Sequence, residues 1–408
     1  MLHFIAGGVC AAQGFRAGGI HVGVKTHAAW KKDVALIVSD VDCACAAVYT
    51  KNAVKAAHIH VDKRHLADGK ARAAVINSGN ANACAPMGEE NAERVCAAAG
   101  KALGCRPEDV VVAATGVIGQ TLNVAGIEQG MPELCGAAAH TAEGSDAAAH
   151  AIMTTDTVKK ELAVETVIGG KTVRMGGIAK GSGMIHPNMG TMLCFLTTDC
   201  AISPEMIKSA LLETVQVSFN RISVDGDTST NDTCCVLANG LAGNPVITEK
   251  GPDYDAFVET LRALCVELAK KMASDGEGAT HLITCTVTGA GSEQSAETIA
   301  KSVIGSALTK AAIFGADANW GRVLCAMGYS GEDFDPDKVD VAFQSAAGSV
   351  RVCAKGRGLD FDEELAKKVL TEHDVTIAIA MGEGDGACTC WGCDLTYEYV
   401  KINGDYRT

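Results

Sequence analysis

Near the middle of this 408-residue chain, within Lys180-Gly-Ser-Gly-Met-Ile-His-Pro-Asn-Met-Gly-Thr-Met-Leu-Cys-Phe-Leu-Thr-Thr-Asp199, a glycine precedes a threonine, with a lysine eleven positions upstream. A chain so built can cut itself, and the cut would divide it near its middle. The Thr191 hydroxyl can attack the Gly190 carbonyl, pass through an ester and, on hydrolysis, leave a threonine with a free α-amine. That amine, whose ordinary pKa is about 7.7–8.0, takes the hydroxyl proton without help from a histidine. Alone, the dipeptide reads as a turn into the apolar strand Met192 to Leu196. The surrounding residues alter that reading.

At this length two or three modules are expected. Hydrophobic residues make up 48% and charged residues 21%, the balance of a packed globular protein. Aromatics are only 4%, so Ala, Val, Leu and Ile must fill the core, and 45 glycines imply tight turns and close backbone approaches. A formal charge of −14 argues against nucleic acid as a partner, because such binding draws on lysines and arginines against phosphate. No run reaches the roughly 18 apolar residues of a spanning helix, and nothing cationic precedes the short apolar start, so we expect a cytoplasmic protein with no membrane partner. The 18 cysteines are scattered among apolar residues, which suits a reducing compartment. Cys388-Thr-Cys-Trp-Gly-Cys393 groups three sulfurs, but no second ligand pair accompanies it, and no metal site is expected.

Helical spacing of Phe257, Leu261, Leu264, Leu268 and Met272 predicts a helix ending near Asp275-Gly276. Ser203-Pro204-Glu205 reads as a cap, a first-turn proline and a first-turn acid. Further helices are expected over about 89–103 and 295–310. Short buried strands are expected over 34–38, 73–76, 110–113, 234–238, 282–287, 339–343 and 350–354. This mixture predicts an α/β or α+β fold.

Acyl transfer needs donors aimed at an oxyanion. Ala114-Thr-Gly-Val-Ile-Gly119 follows a strand directly, where Thr115 can offer a hydroxyl and Gly116 an N–H; in isolation it is also an ordinary glycine turn. Gly177 to Gly183 is glycine-rich but lacks the spacing of a phosphate loop. Lys180 reads either as a solvated lysine or as a charge beside the Gly190–Thr191 peptide. In Asp275-Gly-Glu-Gly-Ala-Thr280 the acid is either hydrated or grips a substrate ammonium.

In order along the chain, Gly14-Phe-Arg-Ala-Gly-Gly-Ile20, Asn77-Ser-Gly-Asn-Ala-Asn-Ala-Cys84, Ala114 to Gly119, Ile152-Met-Thr-Thr-Asp-Thr157 and Lys180 to Asp199 recur in one known family. So do Asn220-Arg-Ile-Ser-Val-Asp-Gly-Asp-Thr-Ser-Thr-Asn-Asp232, Asp275 to Thr280, Asn319-Trp-Gly-Arg322 and Tyr399 to Thr408. The sequence resembles the ornithine acetyltransferases of arginine biosynthesis, also called bifunctional glutamate N-acetyltransferase/amino-acid acetyltransferase.

The resemblance implies a self-processing N-terminal-nucleophile enzyme, with mixed sheets layered with helices in a DmpA-like fold. It implies cleavage between Gly190 and Thr191 into an α chain, 1–190, and a β chain, 191–408, assembled as α2β2. Thr191 would be the nucleophile, and Thr115 and Gly116 the oxyanion pair. Thr154, Lys180, Thr191, Glu277, Asn403 and Thr408 would contact the substrate, with Thr155 and Thr157 standing beside Thr154. N-acetylornithine would donate the acetyl group and glutamate accept it, without a cofactor; acetyl-CoA is open as a second donor. A hydrolase on the same scaffold and an uncleaved binding protein are the alternatives. The chain departs from the family's usual pattern at Gly190, where alanine is common, at Ala318, where proline is, and at Cys388 and Cys390, where small residues stand.

Overall fold

The structure, a computed structural model, describes residues 2–26, 30–186 and 192–405. Gly190, Thr191 and Thr408 therefore lie outside the described residues.

Among the described residues, two mixed sheets organise the chain. The first has nine strands. Its order runs His3–Ile5, Lys160–Ile168, Lys171–Lys180, Leu193–Thr198, Thr233–Ala238, Val34–Tyr49, Lys70–Asn80 and Val110–Val117, with Phe15–Ile20 paired to Val34–Tyr49. Leu193–Thr198 and Thr233–Ala238 run parallel at its centre, so residues beyond 191 complete a sheet begun before 190. The second sheet has seven strands, ordered Arg357–Gly358, Gly348–Ala354, Asp340–Ser345, Asp374–Ala380, Leu282–Ala290, Gly386–Cys393 and Ile222–Ser223.

Local chemistry explains several elements. Ser203 accepts the Met206 N–H at 3.4 Å and opens the helix Pro204–Val217, as its sequence predicts. The helix Pro252–Ser274 buries Phe257, Leu261, Leu264 and Leu268 almost completely, each stabilising the fold by about 1.5–3 kcal/mol. This helix packs into a core shared by both sheets, against Val164 and Leu196 of the first and Trp391 and Cys393 of the second. A close approach accounts for part of the glycine content. A Cβ on Gly19 would overlap the Ala147 carbonyl, so only glycine lets the alanine-rich helix Ala142–Ile152 lie on the strand Phe15–Ile20.

The helix expected over 295–310 is instead two helices, Glu293–Gly305 and Ala307–Phe314. Ser306 turns extended between them and caps the second through the Thr309 N–H, a local hydrogen bond that defeats the continuing apolar period. The hairpin Lys160–Ile168 to Lys171–Lys180 was not expected. It closes through Gly169 and Gly170, both at positive φ, as a two-residue turn between antiparallel strands requires. Cys388 and Cys390 lie on the strand Gly386–Cys393, with their sulfurs 3.9 Å apart. Among the described residues, no three His, Cys, Asp or Glu side chains gather as a metal would need, and no helix is long and apolar enough to cross a membrane.

Candidate active site

Two strand ends of the first sheet converge on one buried amine. Lys180 ends the strand Lys171–Lys180 opposite Leu193, two residues past Thr191. Its Nζ lies 3.4 Å from the Thr115 hydroxyl, which ends the buried run of Val110–Val117. Burial pulls the Lys180 amine below its ordinary pKa, and Lys160 adds to this, while Asp156, Asp232 and Glu277 oppose it.

Gly116 sits beside Gly79 of the parallel strand Lys70–Asn80, and both have positive φ, 131° and 105°. A Cβ on Gly116 would overlap the Gly79 carbonyl carbon, so alanine there is excluded by space and by backbone angle. Asparagines hold this bulged pair. Asn77 Nδ2 donates to the Asn80 carbonyl at 2.8 Å, Asn80 Oδ1 accepts the Asn82 N–H at 2.8 Å, and Asn231 Nδ2 donates to the carbonyls of Ala81 and Ala114. The motif Asn77 to Cys84 is thus a brace for the strand end that bears Thr115.

Thr154 reaches the site through Asp156. The Asp156 carboxylate accepts the Thr154 N–H at 3.0 Å and the Gly181 N–H at 2.9 Å. Thr157 is engaged elsewhere, its hydroxyl and N–H both donating to Asp275. Lys160, fully buried, lies between Asp156 at 2.6 Å and Asp275 at 2.5 Å. Burial pushes the Asp156 carboxyl up, but Lys160 and Lys180 together outweigh it and hold the group at about 2.

A carboxyl depressed in the folded state contributes stability above its ordinary pKa of about 4, which is lost as pH falls toward 2. Lys160→Met should lower unfolding free energy at pH 7 by about 3–5 kcal/mol, because two buried carboxylates lose their cation. Urea melts of the two proteins check this.

Ser182 links the remaining pieces. Its hydroxyl donates to the Asp275 carbonyl at 2.7 Å, and its carbonyl accepts the Glu277 N–H at 3.0 Å. The Glu277 carboxylate packs on Gly183, where a Cβ would overlap it, and accepts Asn403 Nδ2 at 2.6 Å from the helix Tyr397–Gly404. Glu277 is buried, so the acid of this turn is not a hydrated one. Thr115, Gly116, Thr154, Lys180, Glu277 and Asn403 are therefore brought into one neighbourhood.

Sequence reasoning missed Lys25, Asp33, Asp156, Lys160, Asn231 and Asp232. Asp33 gathers the N–H groups of Val22, Gly23, Val24 and Lys25 at 2.7–3.1 Å, and the Lys25 side chain packs beside Gly79. Burial, with Lys31 and Lys180 adding to it, brings the Lys25 amine down to about 8 against the pull of Asp33 and Asp156. The four-residue spacing of Asp156 and Lys160 was a usable signal. The others carry none that is local.

A buried amine, a hydroxyl at a strand end and a glycine pair at positive φ meet at one place in a two-sheet α/β protein, and that fold is the class the structure defines. Comparison with known sequences then gives the family. Residues 16–408 match the ArgJ family, and the chain belongs to it. It is 50% identical over 408 residues to the arginine biosynthesis bifunctional protein ArgJ of Symbiobacterium thermophilum, covering all of both chains. The protein of that name from Caldanaerobacter subterraneus is 47% identical, again over the whole of both. Among solved structures, an ornithine acetyltransferase complexed with ornithine from Mycobacterium tuberculosis is 36% identical, with a TM-score of 0.43, over 46% of this chain and 100% of that one.

Proposed function

We propose that this chain moves an acetyl group from N-acetylornithine to the α-amine of glutamate through an acetyl-Thr191 ester. Membership of the ArgJ family supports this reading, and the geometric observation that carries it is the Lys180 amine 3.4 Å from the Thr115 hydroxyl, one strand away from Met192-Leu193.

Self-cleavage between Gly190 and Thr191 comes first, giving chains 1–190 and 191–408 that stay associated, as α2β2. The new α-amine takes the Thr191 hydroxyl proton, and the oxygen attacks the acetyl carbonyl. Thr115 and Gly116 donate to the oxyanion. Ornithine departs, and glutamate repeats the attack on the ester in a ping-pong cycle. Glu277 holds the substrate ammonium and Lys180 its carboxylate, whose arrival favours the charged amine again. Thr154, Asn403 and Thr408 complete the pocket. No cofactor enters the cycle; acetyl-CoA is a second acetyl donor, in keeping with relatives named bifunctional. The protein works in the cytoplasm.

N-terminal sequencing of purified protein, followed by transfer assays with both donors, tests the reading. A new terminus at Thr191 and N-acetylglutamate formed with release of ornithine are expected; acetate alone would mark a hydrolase, and one uncut, inactive chain a binding protein. Asn403→Ala removes the amide that orients Glu277. A hydrogen bond to a charged group is worth about 1.5–3 kcal/mol, so KM should rise at least about tenfold with kcat little changed.

A further inference from the structure

The Glu277 carboxylate lies in a slot with two walls. One wall is Gly183, where a Cβ would overlap both carboxylate oxygens. The other is Asn403, whose Nδ2 donates to Glu277 Oε2 at 2.6 Å. Gly183 follows the strand Lys171–Lys180, whereas Asn403 comes from the helix Tyr397–Gly404. No residue of that helix is buried, so little apolar packing fixes its position. Polar contacts fix it instead. Thr396, just before it, donates its hydroxyl to the Gly278 carbonyl at 2.7 Å, and Tyr399 donates its hydroxyl to Asp225 Oδ2 at 3.2 Å. Asp225 also holds the opposite wall, because its carboxylate accepts the N–H of Met184 at 2.6 Å and that of Ile185 at 2.8 Å, directly after Gly183. Tyr399 and Asn403 stand four residues apart, on one face of the helix, and Asn403 Nδ2 also donates to the Tyr399 carbonyl at 3.1 Å. What holds Tyr399 therefore aims Asn403.

We propose that Asp225 and Tyr399 are positioning residues for the amino-acid head of the substrate: together they set the separation of Gly183 and Asn403 and so aim the Glu277 carboxylate. This rests on the reading above in which Glu277 holds the substrate ammonium. Both residues act through other groups, Asp225 through the backbone that follows Gly183 and Tyr399 through the helix that carries Asn403. They belong to the Asn220 to Asp232 and Tyr399 to Thr408 stretches of the sequence, and neither has another part in acetyl transfer.

A carboxylate offers about four lone-pair sites, and Asp225 receives four donors: the N–H groups of Met184, Ile185 and Asp227 and the Tyr399 hydroxyl. The first three fasten it to its own loop and to the segment after Lys180, where the Val224 N–H also donates to the Ile185 carbonyl at 2.6 Å. The fourth is the link to the C-terminal helix. Burial, with Asp225 beside it, raises the Tyr399 hydroxyl above its ordinary pKa, so it stays a donor. A bond between an ammonium and a carboxylate is strong only while donor and acceptor are aligned, and the two fixed walls keep Glu277 in one orientation.

The test titrates ornithine into the purified protein by calorimetry and measures KM and kcat for glutamate. Tyr399→Phe removes one hydroxyl and keeps the ring. It should weaken ornithine binding and raise KM roughly tenfold, with kcat and Tm near the wild-type values. In an Asn403→Ala background the same change should add little, because the amide it aims is gone. Lys401→Ala, on the same helix with its amine paired to Glu398, should leave both constants unchanged. The proposal is overturned by a Tyr399→Phe protein that binds ornithine as wild type does, by a loss that multiplies in full with that of Asn403→Ala, or by an equal loss in Lys401→Ala. Wild-type protein that binds ornithine but forms no N-acetylglutamate overturns the acetyl-transfer reading instead, and the slot is then judged on the ornithine titrations alone.

Discussion

Thr191→Ala is expected to yield one uncut polypeptide of 42.0 kDa that transfers no acetyl groups. Loss of one hydroxyl removes two reactions. Without the hydroxyl, nothing attacks the Gly190 carbonyl, so the α-amine that would serve as base is never released. Even a chain cut by other means would have no atom to carry the acetyl group. Losing a nucleophile that acts in concert with its base costs several powers of ten, and we expect a fall of at least about 10⁴-fold in turnover. Thr191→Ser, which keeps both hydroxyl and amine, should cut and transfer. Intact mass and a transfer assay on the same preparation read both effects, and a Thr191→Ala protein that still forms N-acetylglutamate would remove the basis of the mechanism.

Thr115→Val should lower kcat by roughly 10²–10³-fold and leave KM nearly unchanged. Valine keeps the shape and the β-branch, so the strand Val110–Val117 loses only a hydroxyl, the one facing Lys180 at 3.4 Å. An oxyanion donor acts on charge that develops during reaction, which is why turnover falls and binding does not. Thr115→Ser should retain most activity. If Thr115→Val turned over at the wild-type rate with an unchanged melting curve, the oxyanion would need another donor. Gly116→Ala is a less clean probe, because its Cβ would meet the Gly79 backbone and disturb the fold as well.

Much of the fold was legible wherever the code is local. Ser203 and Pro204 announced a helix start, the spacing from Phe257 to Met272 announced a buried face, and valine-rich runs such as Val110 to Ala113 announced strands. Local reading failed where a short-range hydrogen bond competed with periodicity, as at Ser306, and where strands were half polar. Lys160–Ile168 and Lys171–Lys180 carry lysines, glutamate and threonine that a strand scan passes over, and only their pairing across Gly169-Gly170 makes them a hairpin.

The site divides along the same line. Thr115, Gly116, Thr154, Lys180, Glu277 and Asn403 were identified as a set through resemblance to a known family. Their number could be read along the chain, but not the contacts among them. The four-residue spacing of Asp156 and Lys160 was open to a short window, but Asn231 reaches the carbonyls of Ala81 and Ala114 from far along the chain, and Lys160 meets Asp275 across 115 residues, which no short window shows.

From its sequence alone, then, the chain determined many of its helix starts, buried helix faces and apolar strands, because caps, turns and apolar spacing act over a few residues. Tertiary structure alone decided that Lys180 meets Thr115 across 65 residues of sequence, that Asn403 meets Glu277 across 126, and that Lys160 is sealed from water between Asp156 and Asp275. The physical reason is that protonation state and hydrogen-bond geometry depend on what surrounds a group in space. The sheet that joins segments from both sides of residue 190 creates those surroundings.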